Sequence, residues 1–180
     1  STYEFSTNPM LKRRYAAHGK TINFLGVIMS TLNPKMEEKL RCVQIAGQIA
    51  VALGAKAAVV AEEGYGNPDV DYTAMLTELE RLGIKTVGIS DEATGRDGAS
   101  QPLVSMNSAE NALVSTGNVS QLYELPPMDV VGELEALARD GNSGGWEGCI
   151  NKDGSCVMEN NGMFCANHIS GYSRRTCADF

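Results

Sequence analysis

The chain is 180 residues long, 43% hydrophobic, and holds no apolar run near the roughly 18 residues of a membrane span, so a single globular domain is expected. Its formal charge of −7 argues against a dominant role on nucleic acid or on an anionic membrane, because a phosphate surface is held through clustered Lys and Arg. Lys12-Arg13-Arg14 and Arg174-Arg175 are too short to reverse that balance.

The chain opens on Ser1 and a polar lead, residues 1–20. Ser, Thr or Cys at such a position can be left by self-cleavage of a precursor, as a nucleophile or as a pyruvoyl carbonyl; a trimmed start or simple Met removal is the more ordinary origin, since Ser is a common second residue. Residues 21–29 (TINFLGVIM) read as a buried strand, with Ile22, Phe24, Val27 and Ile28 apolar. Asn33-Pro34 then suits the start of a helix, Asn as cap and Pro in the first turn. Its buried stripe is read as Met36, Leu40, Val43, Ile45, Ile49 and Leu53, and Gly54 stops it.

A second strand is expected over 55–61 (AKAAVVA), and Asn67-Pro68-Asp69 repeats the helix-start pattern before a stripe of Met75, Leu76, Leu79 and Leu82. Residues 85–89 form a third strand, 112–115 a short fourth, 121–125 a fifth, and 130–138 a last helix. The alternation predicts an α/β fold: a mostly parallel twisted sheet with helices on both faces, occupying residues 1–140. From 141 to 180 the chain turns Cys-, Gly- and Asn-rich, an irregular tail expected to pack on the domain or on a partner, with a hairpin at Asp153-Gly154.

Cys42 falls in the helical pattern and reads as a small buried hydrophobe. Cys149, Cys156, Cys165 and Cys177 crowd the tail without a Cys-x-x-Cys pair, so a zinc site with His168 is weakly supported and no metal is expected. An odd cysteine total and no secretion signal favour a reducing cytoplasm.

In open α/β sheets, ligands bind beyond the carboxyl ends of the strands. Here those ends carry Ser30, Thr31 and Asn33; Glu62, Glu63, Tyr65 and Asn67; Asp91, Glu92, Arg96 and Asp97; then Gly117 and Asn118. Asn67 and Asp69 have a competing explanation as helix-start residues. Glu62 and Glu63 follow an apolar strand with no capping duty, which makes them the candidate general base or ammonium partner. The Gly64-Tyr65-Gly66-Asn67 turn lacks the Lys and the spacing of a phosphate loop, and the surrounding carboxylates would repel a phosphate. Residues 91–102 form a long polar loop in which Arg96, the only cation, can grip a substrate carboxylate or pair with Asp97 or Asp91.

The stretches AEEGYGNPDVDY, KTVGISDEATGRDGASQPLV, STGNVS, ELPPMDVVGELEALARDG and SGGW resemble the pyruvoyl-bearing component B subunit of the glycine, sarcosine and betaine reductases, with D-proline reductase a more distant relative. The match covers about residues 20–146 and lies largely in polar loops that a fold alone would not dictate. The resemblance implies a precursor cut before a Cys that becomes a pyruvoyl, a companion N-terminal fragment, and a selenoprotein partner subunit. It implies reductive cleavage of a C–N bond in a small amine or amino acid: the carbonyl draws electrons from the bond while a selenolate or thiolate takes the carboxymethyl group. Betaine, with a quaternary nitrogen, cannot condense with a carbonyl. Ser1 stands where the family has Cys or pyruvoyl, so it is read as a pyruvoyl, a replaced Cys or a native Ser. On that scheme Ser1, Glu62 and Glu63 are catalytic, while Asn67 and Arg96 bind substrate. A D-proline reductase subunit and a non-catalytic binding or assembly subunit are the rival readings.

Overall fold

A computed structural model describes residues 8–62, 66–105, 111–129 and 150–160. Ser1, Glu63, the helix expected at 130–138, Cys149, Cys165, His168, Arg174-Arg175 and Cys177 lie outside the described residues. The architecture is α/β. Strands β1 (Ala57–Ala61), β2 (Lys85–Glu92) and β3 (Leu113–Asn118) form a parallel sheet in that order, and helix α3 (Asn67–Arg81) links the first two. Ala57 pairs with Lys85 and the register holds through Ala61 and Ile89.

Alternation along β2 decides which face is covered. Thr86, Gly88 and Ser90 are buried on the side of α3, whose Tyr72, Leu76 and Leu79 supply the core with Ile84 and Leu103. Gly88 is required there, since a Cβ would lie 2.6 Å from Leu113 Cδ2 and 2.9 Å from Tyr72 Cζ. Glu80 fastens the same helix to the sheet by accepting from Thr86 N (2.6 Å) and Thr86 Oγ1 (2.8 Å).

Helix α2 (Met36–Ala52) packs on α3 through Val43 of the expected stripe but not through the rest of it. Its buried face is Lys39, Val43, Ala46, Gly47 and Ala50, while Met36, Leu40, Ile45 and Ile49 are exposed, as is Leu53 just beyond the helix. Close approach explains the rotation. A Cβ on Gly47 would stand 2.8 Å from Leu82 Cδ1 and 3.1 Å from Glu78 Cγ, so small side chains bring the two helices together. Cys42, expected buried, is only half-buried beside that face.

Two other expectations change. Residues 21–29 do not form a strand: apart from one bridge between His18 and Ile22 they have no ladder partner among the described residues, and Ile22, Leu25, Ile28 and Met29 are exposed. Apolar composition supplies strand propensity but not a neighbour to pair with, and Gly26, at φ 136°, interrupts the pleat. The polar lead contains helix α1 (Pro9–Ala17), whose Asn8 cap accepts from Met10 N at 2.9 Å. Asn33, expected as a cap, instead accepts from Lys35 N at 3.0 Å, and α2 begins three residues later.

Strand β4 (Leu122–Leu125) does not extend the parallel sheet. It pairs antiparallel with β5 (Cys156–Glu159), beyond the turn at Asp153-Gly154, where Asn151 N donates to Ser155 O at 2.8 Å. Residues 156–159 thus join the body of the chain. No helix among the described residues is long and apolar enough to cross a membrane.

Candidate functional site

The parallel strands run toward one edge, where β1 ends at Ala61 and the chain delivers Glu62. Glu62 is 7% exposed. Ser90, at the corresponding end of β2, donates to Glu62 Oε1 at 2.5 Å, and Oε2 has no partner among the described residues. Burial lifts the Glu62 carboxyl from the usual 4.5 to about 7; the Ser90 bond opposes that shift, and the charges of Asp69, Asp91 and Asp71 add to it. Burial thus moves the change of charge at Glu62 toward neutrality, and Oε2 is its oxygen without a partner among the described residues.

Each neighbouring carboxylate has its own local cause. Asp69 is fully buried in the first turn of α3; its Oδ1 accepts from Gly66 N (2.7 Å) and its Oδ2 from Val104 N (2.6 Å). It caps the helix and clamps the loop after β2, which is a structural duty. Asp71, two residues along, pairs with the Lys39 ammonium from α2, and its Oδ1 has no partner among the described residues. Lys39 also donates to Asn67 O at 3.3 Å. Asp91 accepts from Thr116 Oγ1 across a register shift between β2 and β3 that leaves Ser90 and Asp91 both buried.

The expected site residues separate. Glu62 sits in this buried cluster, and Asn67 opens α3 beside it, exposed, with its backbone carbonyl engaged by Lys39. Helix α3 is capped by Gly66 and the returning Asp69 carboxylate, not by Asn67. Arg96 Nε donates to Glu159 Oε1 at 2.7 Å, tying the 91–102 loop to β5. That loop is closed on itself by Ala93 N to Pro102 O (3.0 Å) and Ser100 N to Thr94 O (2.9 Å), and Asn118 Nδ2 donates to Gly95 O at 2.7 Å. Sequence reasoning passed over Lys39 and Ser90, and took Asp71 only as one of the carboxylates of this acidic edge. For Lys39 a signal existed: it shares the i, i+4, i+7, i+8 face of Val43, Ala46 and Gly47. No group of three or more His, Cys, Asp or Glu side chains among the described residues is arranged to hold a metal ion.

A cluster of this kind can hold a cationic nitrogen and pass a proton. Against that geometry, residues 1–178 match the family of glycine/sarcosine/betaine reductase component B subunits. The chain is 58% identical, over all of its length, to the betaine reductase complex component B subunit alpha of Peptoclostridium acidaminophilum, covering 42% of that protein. It is 41% identical to the glycine reductase complex component B subunits alpha and beta of the same organism, over 88% of this chain and 37% of that one. To the organism's sarcosine reductase complex component B subunit alpha it is 34% identical, over 98% of this chain and 41% of that one. The chain thus spans about two fifths of the length of these relatives. No solved structure matches it.

Proposed function

Because the chain belongs to the glycine/sarcosine/betaine reductase component B family, we propose that it is a subunit of a reductase cleaving the C–N bond of a small amine-bearing carboxylate, with betaine as the first substrate to test. The observation that carries the substrate choice is the 58% identity to a betaine reductase subunit, against 41% and 34% to the glycine and sarcosine counterparts.

The reading includes a pyruvoyl group at or near residue 1, which when present supplies an electrophilic carbonyl. The donor set at the strand ends suits such a neighbour: a buried carboxyl with an unpartnered oxygen, ionising near neutrality. Glu62 takes up or returns a proton at Oε2, and Ser90 fixes the carboxyl plane through Oε1. The excess of negative charge around Glu62 attracts the cationic nitrogen of the substrate. Glu63, the next residue in the chain, is a second candidate carboxylate, and Asn67, the first residue of α3, a candidate substrate contact. Arg96 anchors the substrate carboxylate by releasing Glu159, a pair half open to water and therefore weakly held.

The subunit works with a companion fragment of the same precursor and with a selenoprotein that accepts the carboxymethyl group. The chain's share of its relatives' length and the exposed apolar residues at 22–32 support the presence of further polypeptide. The reading carries a cytoplasmic location, where selenolates and thiols stay reduced.

The test is intact mass and carbonyl-reagent labelling of protein from its native host, joined to turnover of betaine, sarcosine, glycine and D-proline. A first residue lighter than Ser, labelling, and preferred turnover of betaine are expected, with Glu62→Gln lowering kcat by about 10²–10⁴-fold. An unmodified Ser1 in active protein overturns the cofactor, preferred turnover of D-proline overturns the substrate class, and normal kinetics in Glu62→Gln overturn the site.

A further inference from the structure

Among the described residues β1 is an edge of the parallel sheet, and its sequence AAVVA carries no charge, Pro or bulge of the kind that keeps an edge from pairing. Residues 25–29 (LGVIM) have the composition of a strand, yet no hydrogen bond among the described residues joins residues 23–32 to the sheet. Phe24 holds the segment to α1 instead: its N donates to His18 Nδ1 at 3.0 Å, and its ring meets that of Tyr15 at 5.2 Å. At the far end Pro34 and the bond from Lys35 N to Asn33 Oδ1 set the turn into α2. Held at both ends without reaching its own β1, the segment is open to the β1 of another molecule.

Charge selects a second copy as that molecule. Residues 9–35 hold Lys12, Arg13, Arg14, Lys20 and Lys35 and no carboxylate, in a chain whose formal charge is −7. The cationic segment is drawn to the acidic remainder of another copy.

Register decides what arrives with it. On β1, Ala58 and Val60 pack toward α3, while Val59 is exposed on the opposite face beside Val87. Glu62 continues the α3-facing row and meets Ser90, which follows Ile89 as Glu62 follows Ala61. A parallel strand ending level with β1 sets Met29 beside Ala61, Val27 beside Val59, and Ser30 beside Glu62 on the face of Ser90. Gly26, at φ 136°, can enter the extended region without strain. Glu62 Oε2, buried and without a partner among the described residues, is the oxygen that a hydroxyl from this outer side would satisfy.

We propose that residues 25–29 pair in parallel with β1 of a second copy of the chain, each copy lending its segment to the other, and that the incoming Ser30 is a positioning residue that donates to Glu62 Oε2 across from Ser90. The role of Ser30 rests on the reading of Glu62 as the proton-exchanging group; the pairing stands apart from it.

The experiment uses two differently tagged copies, one Val27→Cys and one Val59→Cys, produced together in the native host, isolated as the native assembly, oxidised and mapped by peptide mass. Paired strands lie about 4.8 Å apart, within reach of a disulfide, so a bridge between positions 27 and 59 that joins the two tags is expected. Absence of the bridge overturns the pairing. A copy carrying both substitutions that bridges only within its own chain overturns the second copy as occupant. Ser30 is read from the infrared stretch of the protonated Glu62 carboxyl, assigned by its loss in Glu62→Gln. Ser30→Ala should move the band to higher frequency, as a lost hydrogen bond does, and Ser30→Thr should restore it. A band unmoved in Ser30→Ala overturns the contact with Glu62. A bridge in protein whose Glu62→Gln variant turns over normally supports the pairing and overturns the reading of Glu62, and the role of Ser30 with it.

Discussion

At the carboxyl edge of the sheet the chain buries Glu62, Asp69, Asp71, Asp91 and Lys39; along residues 22–32 and the outer face of α2 it leaves Ile22, Leu25, Ile28, Leu32, Ile45 and Ile49 between 37% and 53% exposed. The two regions invert the usual partition of polar and apolar groups. Buried charge is unfavourable unless something compensates it, so its presence marks a place where the chain gives up stability for chemistry. Exposed hydrocarbon adds little to a chain's own stability, and a contiguous stretch marks a surface that meets something else. The first region governs this chain's stability, and the second leaves it nearly untouched. That difference can be measured.

The largest effect is expected at Lys39. Lys39→Met strands Asp71 in the interior and should lower the unfolding free energy by about 3–5 kcal/mol in urea titrations, the range for breaking one half of a buried pair. Adding Asp71→Asn should recover most of it. A loss near zero in the single variant would mean that the pair is solvated and that the edge is not the closed environment described above.

Glu62 comes next, with the opposite sign. Its folded pKa of about 7 lies above the ordinary 4.5, so the folded state binds the extra proton. Below pH 4.5 both states are protonated and nothing is lost; stability then falls as pH rises toward 7, by about 3 kcal/mol in all, and stays low above it. Glu62→Gln keeps an acceptor for Ser90 without the charge. It should therefore be more stable than wild type at pH 8, with the gain vanishing near pH 4, in thermal melts across that range. A pH-independent difference would show that Glu62 titrates normally.

These two residues also show how far the sequence could be read. Glu62 was legible because it follows an apolar strand and has no helix to cap. Its unpartnered oxygen was not, because that depends on Ser90 arriving from 28 residues away with one hydroxyl. Lys39 was obscured by its type: a lysine in a helix reads as solvated until its neighbours on the same face are seen to be small. β1, β2, β3 and α3 followed from apolar runs alternating with a helical stripe, since a parallel βαβ unit announces itself locally. Residues 21–29 have the composition of such a strand, and only the missing neighbour, a property of the whole fold, distinguishes them. Helix α1 was overlooked although Asn8-Pro9 repeats the Asn67-Pro68 pattern, because Lys12-Arg13-Arg14 fill its middle and its apolar residues, among them Met10, Leu11 and Tyr15, are too few to repeat as a stripe.

Gly88 sharpens the comparison from within the core. A methyl group at this position meets the Tyr72 phenol and Leu113, and neither the buried ring nor the paired strand can yield far. Gly88→Ala should lower stability by about 1–3 kcal/mol, independent of pH, which separates overpacking from the charge effects at the edge.

The smallest effect belongs to the exposed region and completes the contrast. Ile45 and Ile49 line a shallow apolar groove of about 370 Å³ with Gln44, Gln48 and Ala52 on the outer face of α2. Neither faces α3, where Ala46, Gly47 and Ala50 make the contact. Glutamine has a helix propensity at least as good as isoleucine, so Ile45→Gln and Ile49→Gln remove exposed hydrocarbon without weakening the helix. Each should change the stability of the chain by no more than about 0.5 kcal/mol in urea titrations. A loss of several kcal/mol would mean that these side chains are covered within the chain itself, and the distinction between a region that holds the fold and one that faces outward would fail at α2.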